Sequence, residues 1–363
     1  MRWCTILQTI SLCMIVKNEE DVLAKCLDSI KGIVDEIIIV DTGSTDRTKE
    51  IAALYTEKIY DFEWINHFGK ARNFSFSKAT MDYVFWLDAD DVLLEEDQKK
   101  LISLKEEMDG SVDSYSMIYH LGFDQEGNST YNFPRYRLVK RTNGYQWVGA
   151  VHEYLEYGGK IVHTDIGVVH QKPVTRYEEK QSNRNLKIYE DLVESGEELT
   201  SRDLFYYANE LKDHGRLEEA IETYQKFLNR PDGWVEDKIR ACINMSDSLK
   251  VLNHTELAKE VLLATFTFDA PRAEVCCKMA DLYFNELDYN KAIGWYKIAL
   301  STDETTNQGF RLMQYSTWYP HLQLSVCYWK KDRKEDGKYH HEKAKESNKS
   351  HPVIMANDKY FNE

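Results

Sequence analysis

The chain has 363 residues, of which 42% are hydrophobic and 29% charged, and a mean hydropathy of -0.57. That is room for two folded domains of ordinary soluble composition. A net charge of -15 excludes nucleic acid or an anionic membrane surface as the principal partner, since no broad basic field is available to attract phosphates. Seven cysteines, an odd number, stand at Cys4, Cys13, Cys26, Cys242, Cys276, Cys277 and Cys327 with no metal-type Cys-x-x-Cys pair. This usage points to small core residues in a reducing compartment, and the expected location is the cytoplasm.

The mildly apolar start is interrupted by Gln8, Thr9 and Ser11 and runs into Lys17-Asn18-Glu19-Glu20, which suits a first strand better than a signal peptide. No stretch approaches the length of a transmembrane span. Ser11 to Val16 reads as a buried strand, and Val22, Leu23, Cys26, Leu27 and Ile30 recur at helical spacing behind it. Ile37 to Val40 is a second apolar run, ended by Asp41. In the turn that follows, Ser44 or Thr45 is expected to cap a helix beginning near Arg47. Ile59-Tyr60 is a short third strand. A polar loop with Gly69-Lys70-Ala71-Arg72-Asn73 leads into another helix, and then comes Val84-Phe85-Trp86-Leu87-Asp88-Ala89-Asp90-Asp91.

This last stretch organises the rest. Four apolar residues without polar alternation suit a strand covered on both faces, and three carboxylates follow at once. An isolated Asp-x-Asp is usually a solvated turn. Here the strand–helix alternation predicts an α/β, mostly parallel sheet, and such sheets bind ligands beyond the carboxyl ends of their strands. Clustered carboxylates there suit Mg2+ or Mn2+ carrying a phosphorylated substrate.

After a helix with Leu101, Leu104 and Met108, strand-like material runs over Tyr115 to Leu121, Tyr136 to Val139, Ile161 to His163 and Ile166 to His170. The loop Trp147 to Glu153 lies among these segments. His152, Glu153 and His170 are candidate chemistry there. Beyond about Arg176 everything reads as helix. Ala208, Leu211, Gly215, Ala220, Tyr224 and Phe227 fit one tetratricopeptide unit, and Ser246 with Ala258, then Ala280 with Ala292, repeat its small positions. A degenerate fourth unit (Ser325, Tyr328, Gly337, His341, Ala344) follows an insertion around Asp303 to Gly309. Trp318, Tyr319 and Trp329 fall off the packing template and are expected on a binding surface.

Leu12 to Glu20, Glu36 to Asp41 with Gly43-Ser44-Thr45-Asp46, Ala71-Arg72-Asn73 and Asp88-Ala89-Asp90-Asp91, in this order, resemble glycosyltransferase family 2. Val151-His152-Glu153, His170 and the helical repeats are similar to a subgroup with C-terminal tetratricopeptide repeats, which includes the bacteriocin S-glycosyltransferases of the sublancin type. The resemblance implies a GT-A nucleotide-diphospho-sugar transferase domain over residues 1–175 and an all-α, tetratricopeptide-like repeat domain over 176–363. It implies that Val16, Lys17 and Asp41 contact the nucleoside, that Arg72 lies near the diphosphate, and that Asp88 binds ribose or sugar. Asp90 would ligate the cation, with His170 a further metal or diphosphate ligand and Asp91 an alternative carboxylate. Glu153 is the implied base, with His152 beside it. Many members carry an aromatic residue where Lys17 stands.

The expected function is transfer of a hexose from a nucleotide-diphospho-sugar, of UDP type, to a peptide or protein acceptor, dependent on Mn2+ or Mg2+ and inverting. The rivals are a surface-polysaccharide or cell-wall glycan acceptor, and a non-catalytic repeat-based binding protein. Homodimerisation through the helical domain is a further expectation. A nucleotidyltransferase would usually need a glycine-rich phosphate loop, and Val16 to Val22 has no glycine.

Overall fold

The structure is a computed structural model that describes residues 7–123, 129–171, 183–302 and 312–361. The chain divides into two compact units, Met1–Asp191 and Leu192–Glu363. The expected insertion around Asp303 to Gly309 lies outside the described residues.

The first unit runs β1 (Ile10–Val16), α1 (Leu23–Ile30), β2 (Glu36–Asp41), α2 (Thr48–Ala52), β3 (Ile59–Asp61), α3 (Phe68–Ser77), β4 (Tyr83–Trp86), β5 (Asp91–Val92), α4 (Glu95–Glu107), β6 (Ser114–Phe123), β7 (Ser129–Lys140), β8 (Trp147–Val148), β9 (Tyr154–Leu155), β10 (Ile161–His170). The helix α5 (Arg184–Glu194) crosses the division. Eight strands form one sheet in the order β3-β2-β1-β4-β7-β6-β10-β5, and β8 pairs with β9 separately. The expected parallel arrangement holds for β3, β2, β1 and β4. Beyond β4 the sheet is mixed. β7 runs antiparallel to β4 and to β6, β10 is parallel to β6, and β5 is antiparallel to β10. The physical reason is that β6 and β7 follow each other directly and pair as neighbours, which antiparallel strands can do without a crossover helix.

The apolar runs are buried on both faces. Leu12, Met14, Phe85 and Leu87 pack with Leu23, Leu27 and Ile30 of α1 and Leu101 of α4. Cys13, Ile38, Val40, Val84 and Trp86 point the other way, against Trp147 and the α3 residues Phe74 and Phe76. Burying side chains of this size stabilises by roughly 1.5–3 kcal/mol each.

One capping expectation is corrected. Arg47 stands at the start of α2 without a side-chain cap, and Asp46 Oδ1 accepts from the Thr48 backbone N–H at 2.9 Å instead. Ser44 and Thr45 are turned toward Asn18: the Asn18 N–H donates to Ser44 Oγ at 3.0 Å, and Asn18 Oδ1 accepts from the Thr45 N–H at 2.8 Å.

At the amino ends of the strands a buried carboxylate joins three segments. Glu36 accepts from Ser11 Oγ and pairs with Lys58, and it takes hydrogen bonds from the Thr80 N–H at 2.9 Å and the Thr80 hydroxyl at 2.8 Å.

The second unit consists of helices α6 (Ser201–Asp213), α7 (Leu217–Leu228), α8 (Val235–Val251), α9 (Thr255–Ala264), α10 (Ala273–Asn285), α11 (Tyr289–Ser301), α12 (Trp318–Lys330), α13 (Lys334–Ser347) and α14 (Pro352–Phe361). Consecutive helices contact each other throughout. Ala208, Ala220, Ala258, Ala280 and Ala292 are fully buried, so the small positions of the repeat template are where helices approach. Polar side chains tie one pair to the next: Asn209 Oδ1 accepts from Tyr224 at 2.6 Å and from Asn244 at 3.0 Å, Arg240 pairs with Glu274, and Lys278 with Asp247.

The three aromatics expected on a binding surface are each half-buried. Tyr319 donates to Asp281 at 3.0 Å, Trp318 packs with Leu322 and Ile354, and Trp329 lies against Tyr360 and Phe361. α14 supplies Ile354 and both of the aromatic partners of Trp329. This closing helix covers what the repeat template leaves bare.

Candidate active site

The carboxyl ends of β1 and β2 meet at Val16 and Asp41, which are register partners and both buried. Asp41 Oδ1 accepts the backbone N–H groups of Gly43 at 2.9 Å and Ser44 at 2.8 Å, a short loop that folds back on its own carboxylate. The other oxygen, Oδ2, is buried with no hydrogen-bond partner. A buried acceptor left unmatched costs about 1–3 kcal/mol, so this oxygen is open to a hydrogen bond from water or a ligand. Lys17 is exposed at the end of β1, next to Asn18, whose φ of 55° turns the chain.

Arg72, buried on α3, joins two of the expected site residues. Its Nη2 donates to Asp88 Oδ1 and its Nε to Glu153 Oε1, each at 2.7 Å, and its guanidinium lies 4.7 Å from the Trp147 ring. Burial alone would push the Asp88 carboxyl up, but Arg72 and Arg137 outweigh it and hold it at about 2. Burial would likewise lower Arg72, and its two carboxylates override that and keep it charged.

Glu153 comes from a loop far along the chain, and the residue after Arg72 holds that loop. Asn73 donates from Nδ2 to the Trp147 carbonyl at 2.9 Å and accepts the Trp147 N–H at Oδ1 at 2.7 Å, pairing with the backbone as a strand neighbour would. The first turn of α3 docks as well, through Phe68 N–H to the Ala150 carbonyl at 2.8 Å. Only glycine fits at Gly69, where a Cβ would come within 2.5 Å of the Gly149 carbonyl. Gly149 at φ 102° and His152 at φ 52° bend the loop, and His152 sits half-buried beside Glu153.

The third group lies at the other end of the sheet. Asp90, Asp91 and His170 each offer a ligand atom, all within 4.8 Å of one another. His170 Nδ1 is 3.4 Å from Asp90 Oδ1 and 3.0 Å from the Tyr119 hydroxyl. Hydrogen bonding with Asp90, then with Asp91, pushes the imidazole up to about 9. Asp91 is fully buried, bound through Oδ2 to Arg137 at 2.9 Å, while its Oδ1 lies 3.8 Å from His170 Nδ1. The donor set of two carboxylates and one imidazole fits a divalent cation.

Asp41 and His170 thus end their strands, Asp88, Asp90 and Glu153 lie in or beside the loops, and Arg72 reaches Asp88 and Glu153 from α3. Three residues were not singled out from sequence: Arg135, Arg137 and Tyr119. Arg135 and Arg137 alternate on β7, and two arginines on one face of a strand would have been the signal. Cys26 is buried beside the acidic cluster and held protonated by burial, then by Asp91, which makes it a core residue.

Residues 11–158 match the family model for glycosyl transferase family 2. A TPR repeat-containing protein of Synechococcus elongatus is 37% identical over 142 residues, 36% of this chain and 35% of that protein. The SPbeta prophage-derived glycosyltransferase SunS of Bacillus subtilis is 27% identical over 230 residues, 61% of this chain and 53% of that protein. The chain therefore spans between about a third and about half the length of these curated relatives. Among solved structures, MamA 41-end from Desulfovibrio magneticus RS-1 aligns over 49% of this chain and 92% of that one at 17% identity. Its TM-score of 0.38 is too low to support an argument. Among the described residues no helix is long and apolar enough to cross a membrane.

Proposed function

We propose, from the glycosyl transferase family 2 domain matched over residues 11–158, that the chain transfers a hexosyl group from a nucleotide-diphospho-sugar, of UDP type, to a peptide or protein acceptor with inversion. The observation that carries the reading is Arg72 bound between Asp88 and Glu153, with a cation-type cluster of Asp90, Asp91 and His170 also at the carboxyl edge of the sheet. In this reading Asp41 Oδ2 accepts an N–H of the nucleobase, Val16 and Lys17 border the nucleoside, and Asp88 holds ribose or sugar hydroxyls. Asp90, Asp91 and His170 would hold Mn2+ or Mg2+. The cation supplies positive charge to the diphosphate as it departs.

The chain's own residues account for the rest. As the acceptor heteroatom bonds to the anomeric carbon, its proton passes to the Glu153 carboxylate, and the anomeric carbon–oxygen bond breaks with its electron pair on the phosphate. A Glu153 that has taken a proton attracts Arg72 less, so the Arg72 charge is freed as negative charge grows on the leaving group. His152 is the neighbouring candidate for the base. The helical unit is assigned to holding the acceptor, because stacked helix pairs provide a continuous surface for an extended partner. The test is release of nucleoside diphosphate from a panel of nucleotide-sugars, with and without Mn2+, by the full chain and by Asp90→Ala. Metal-dependent release that Asp90→Ala abolishes supports the reading, and no release from any donor refutes it. Transfer to oligosaccharides but not to peptides would move the acceptor assignment to a glycan.

A further inference from the structure

The indole of Trp86 has three guanidinium groups around it: Arg137 at 4.2 Å, Arg72 at 5.2 Å and Arg135 at 5.5 Å from its ring. Three like charges in so small a volume need anions. Arg72 has Asp88 and Glu153, and Arg137 has Asp91. Arg135 has no carboxylate and no hydrogen-bond acceptor among the described residues. Its guanidinium is held by ring contacts alone, 4.9 Å from Tyr119 and 5.6 Å from Phe133 as well as against Trp86. Rings fix a guanidinium in place without neutralising it. Burial, and then the adjacent Arg137, push the Arg135 pKa down, while Asp88 acts on it from a distance in the opposite sense. That direction is the mark of a cation short of its counter-charge.

We propose that Arg135 is a phosphate-binding residue, whose missing anion is the terminal phosphate of the donor's diphosphate. The assignment rests on the function proposed above and deepens it. The geometry favours a phosphate over a protein carboxylate for two reasons. Asp88, the carboxylate that acts on Arg135 from a distance, already has Arg72, and the Asp91 beside Arg137 is taken by that arginine. And a guanidinium fork pre-set by aromatic rings matches a phosphate bidentately, where a lysine would be a point charge. Arg135 then supplies a charge that belongs to the leaving group alone, in contrast to Arg72, which is shared with Glu153.

The experiment uses the full chain in Mn2+ and calorimetric titration with UDP, GDP, CDP, ADP and dTDP. Whichever binds is compared with its own monophosphate on wild type, Arg135→Gln and Arg135→Lys. The expected result is a loss of roughly 10- to 100-fold in diphosphate affinity for Arg135→Gln, the size of one charge-assisted hydrogen-bonded pair, with the monophosphate within about twofold of wild type. Arg135→Lys should lose less, because it keeps the charge and gives up the fork. Should Arg135→Gln fail to fold, a loss of about threefold or more in Arg135→Lys, confined to the diphosphate, supports the proposal. Unchanged diphosphate affinity, or equal losses on mono- and diphosphate, would make Arg135 a packing residue and overturn it. If no nucleoside diphosphate binds the wild type, the donor assignment itself fails and this inference falls with it, which is a distinguishable outcome.

Discussion

Replacing Glu36 by glutamine separates charge from shape at the amino ends of the strands. The side chain is 1% exposed and bound to Ser11, Lys58 and Thr80. Burial would raise its carboxyl, but the hydrogen bonds of Lys58, Ser11 and Thr80 outweigh that and bring it from 4.5 to about 2. A carboxyl held below its unfolded value contributes stability that is fully present above about pH 5.5 and is lost as pH falls through the folded value. The difference between the two values is worth about 3 kcal/mol at pH 7, falling to about 1.5 kcal/mol at pH 3 and near zero below pH 2. Glutamine keeps the shape and cannot take the charge, so Glu36→Gln should be less stable than wild type by about 3 kcal/mol at pH 7. The gap should close on acidification. The assay is native-state amide hydrogen exchange of peptides from Ile10–Val16 and Glu36–Asp41, which reads the first unit without the second. A gap that is absent at pH 7, or that stays the same at pH 3, would refute the reasoning.

Arg137→Met leaves the Asp91 carboxylate buried and uncompensated and should cost about 3–5 kcal/mol, whereas Arg137→Met with Asp91→Leu should recover most of it in the same exchange measurement. Gly69→Ala drives a methyl group into the Gly149 carbonyl and should cost about 1–3 kcal/mol, with transfer to acceptor falling further than nucleotide binding, since the displaced loop carries Glu153. Glu153→Gln should slow transfer to a hydroxyl acceptor by roughly 10²-fold with donor affinity little changed, and a loss confined to donor affinity would put the side chain on the nucleotide side. A chain shortened to end near Ser201 should keep nucleotide-sugar hydrolysis and lose transfer to the acceptor. Normal transfer by a shortened chain that has become monomeric would instead assign the helices to assembly.

What the sequence disclosed follows a physical division. The strands of the first unit were legible because runs such as Ile37 to Val40 and Val84 to Leu87 are apolar on both faces, and the carboxylates stand where those runs stop. Asp41, Asp88 and Asp90 were picked out as candidates in this way. The reversal of direction beyond β4 was not legible, since local pattern carries no information on which strand pairs with which. Arg137 was hidden for a related reason: a charged residue amid strand residues is ordinarily read as facing solvent, and only the approach of Asp91 makes a buried position possible. In the helical unit the alanine positions were legible as a repeat. The partial covering of Trp318 and Trp329 was not legible because it comes from α14, outside the repeat pattern.

Two of the three candidate cation ligands are partners across a strand pair: Asp91 of β5 lies opposite His170 of β10, and the Gln171 N–H donates to the Asp90 carbonyl at 2.8 Å just beyond. Their separation is therefore set by pairing register, not by the length of the chain between them. Insertions or deletions in the long intervening segment leave the pair untouched so long as the two strand ends meet. A slip of a single residue in the pairing, by contrast, turns the imidazole to the opposite face. Descendants of this chain are thus free to vary loop size between the two ligands, and bound to keep the parity of one very short strand.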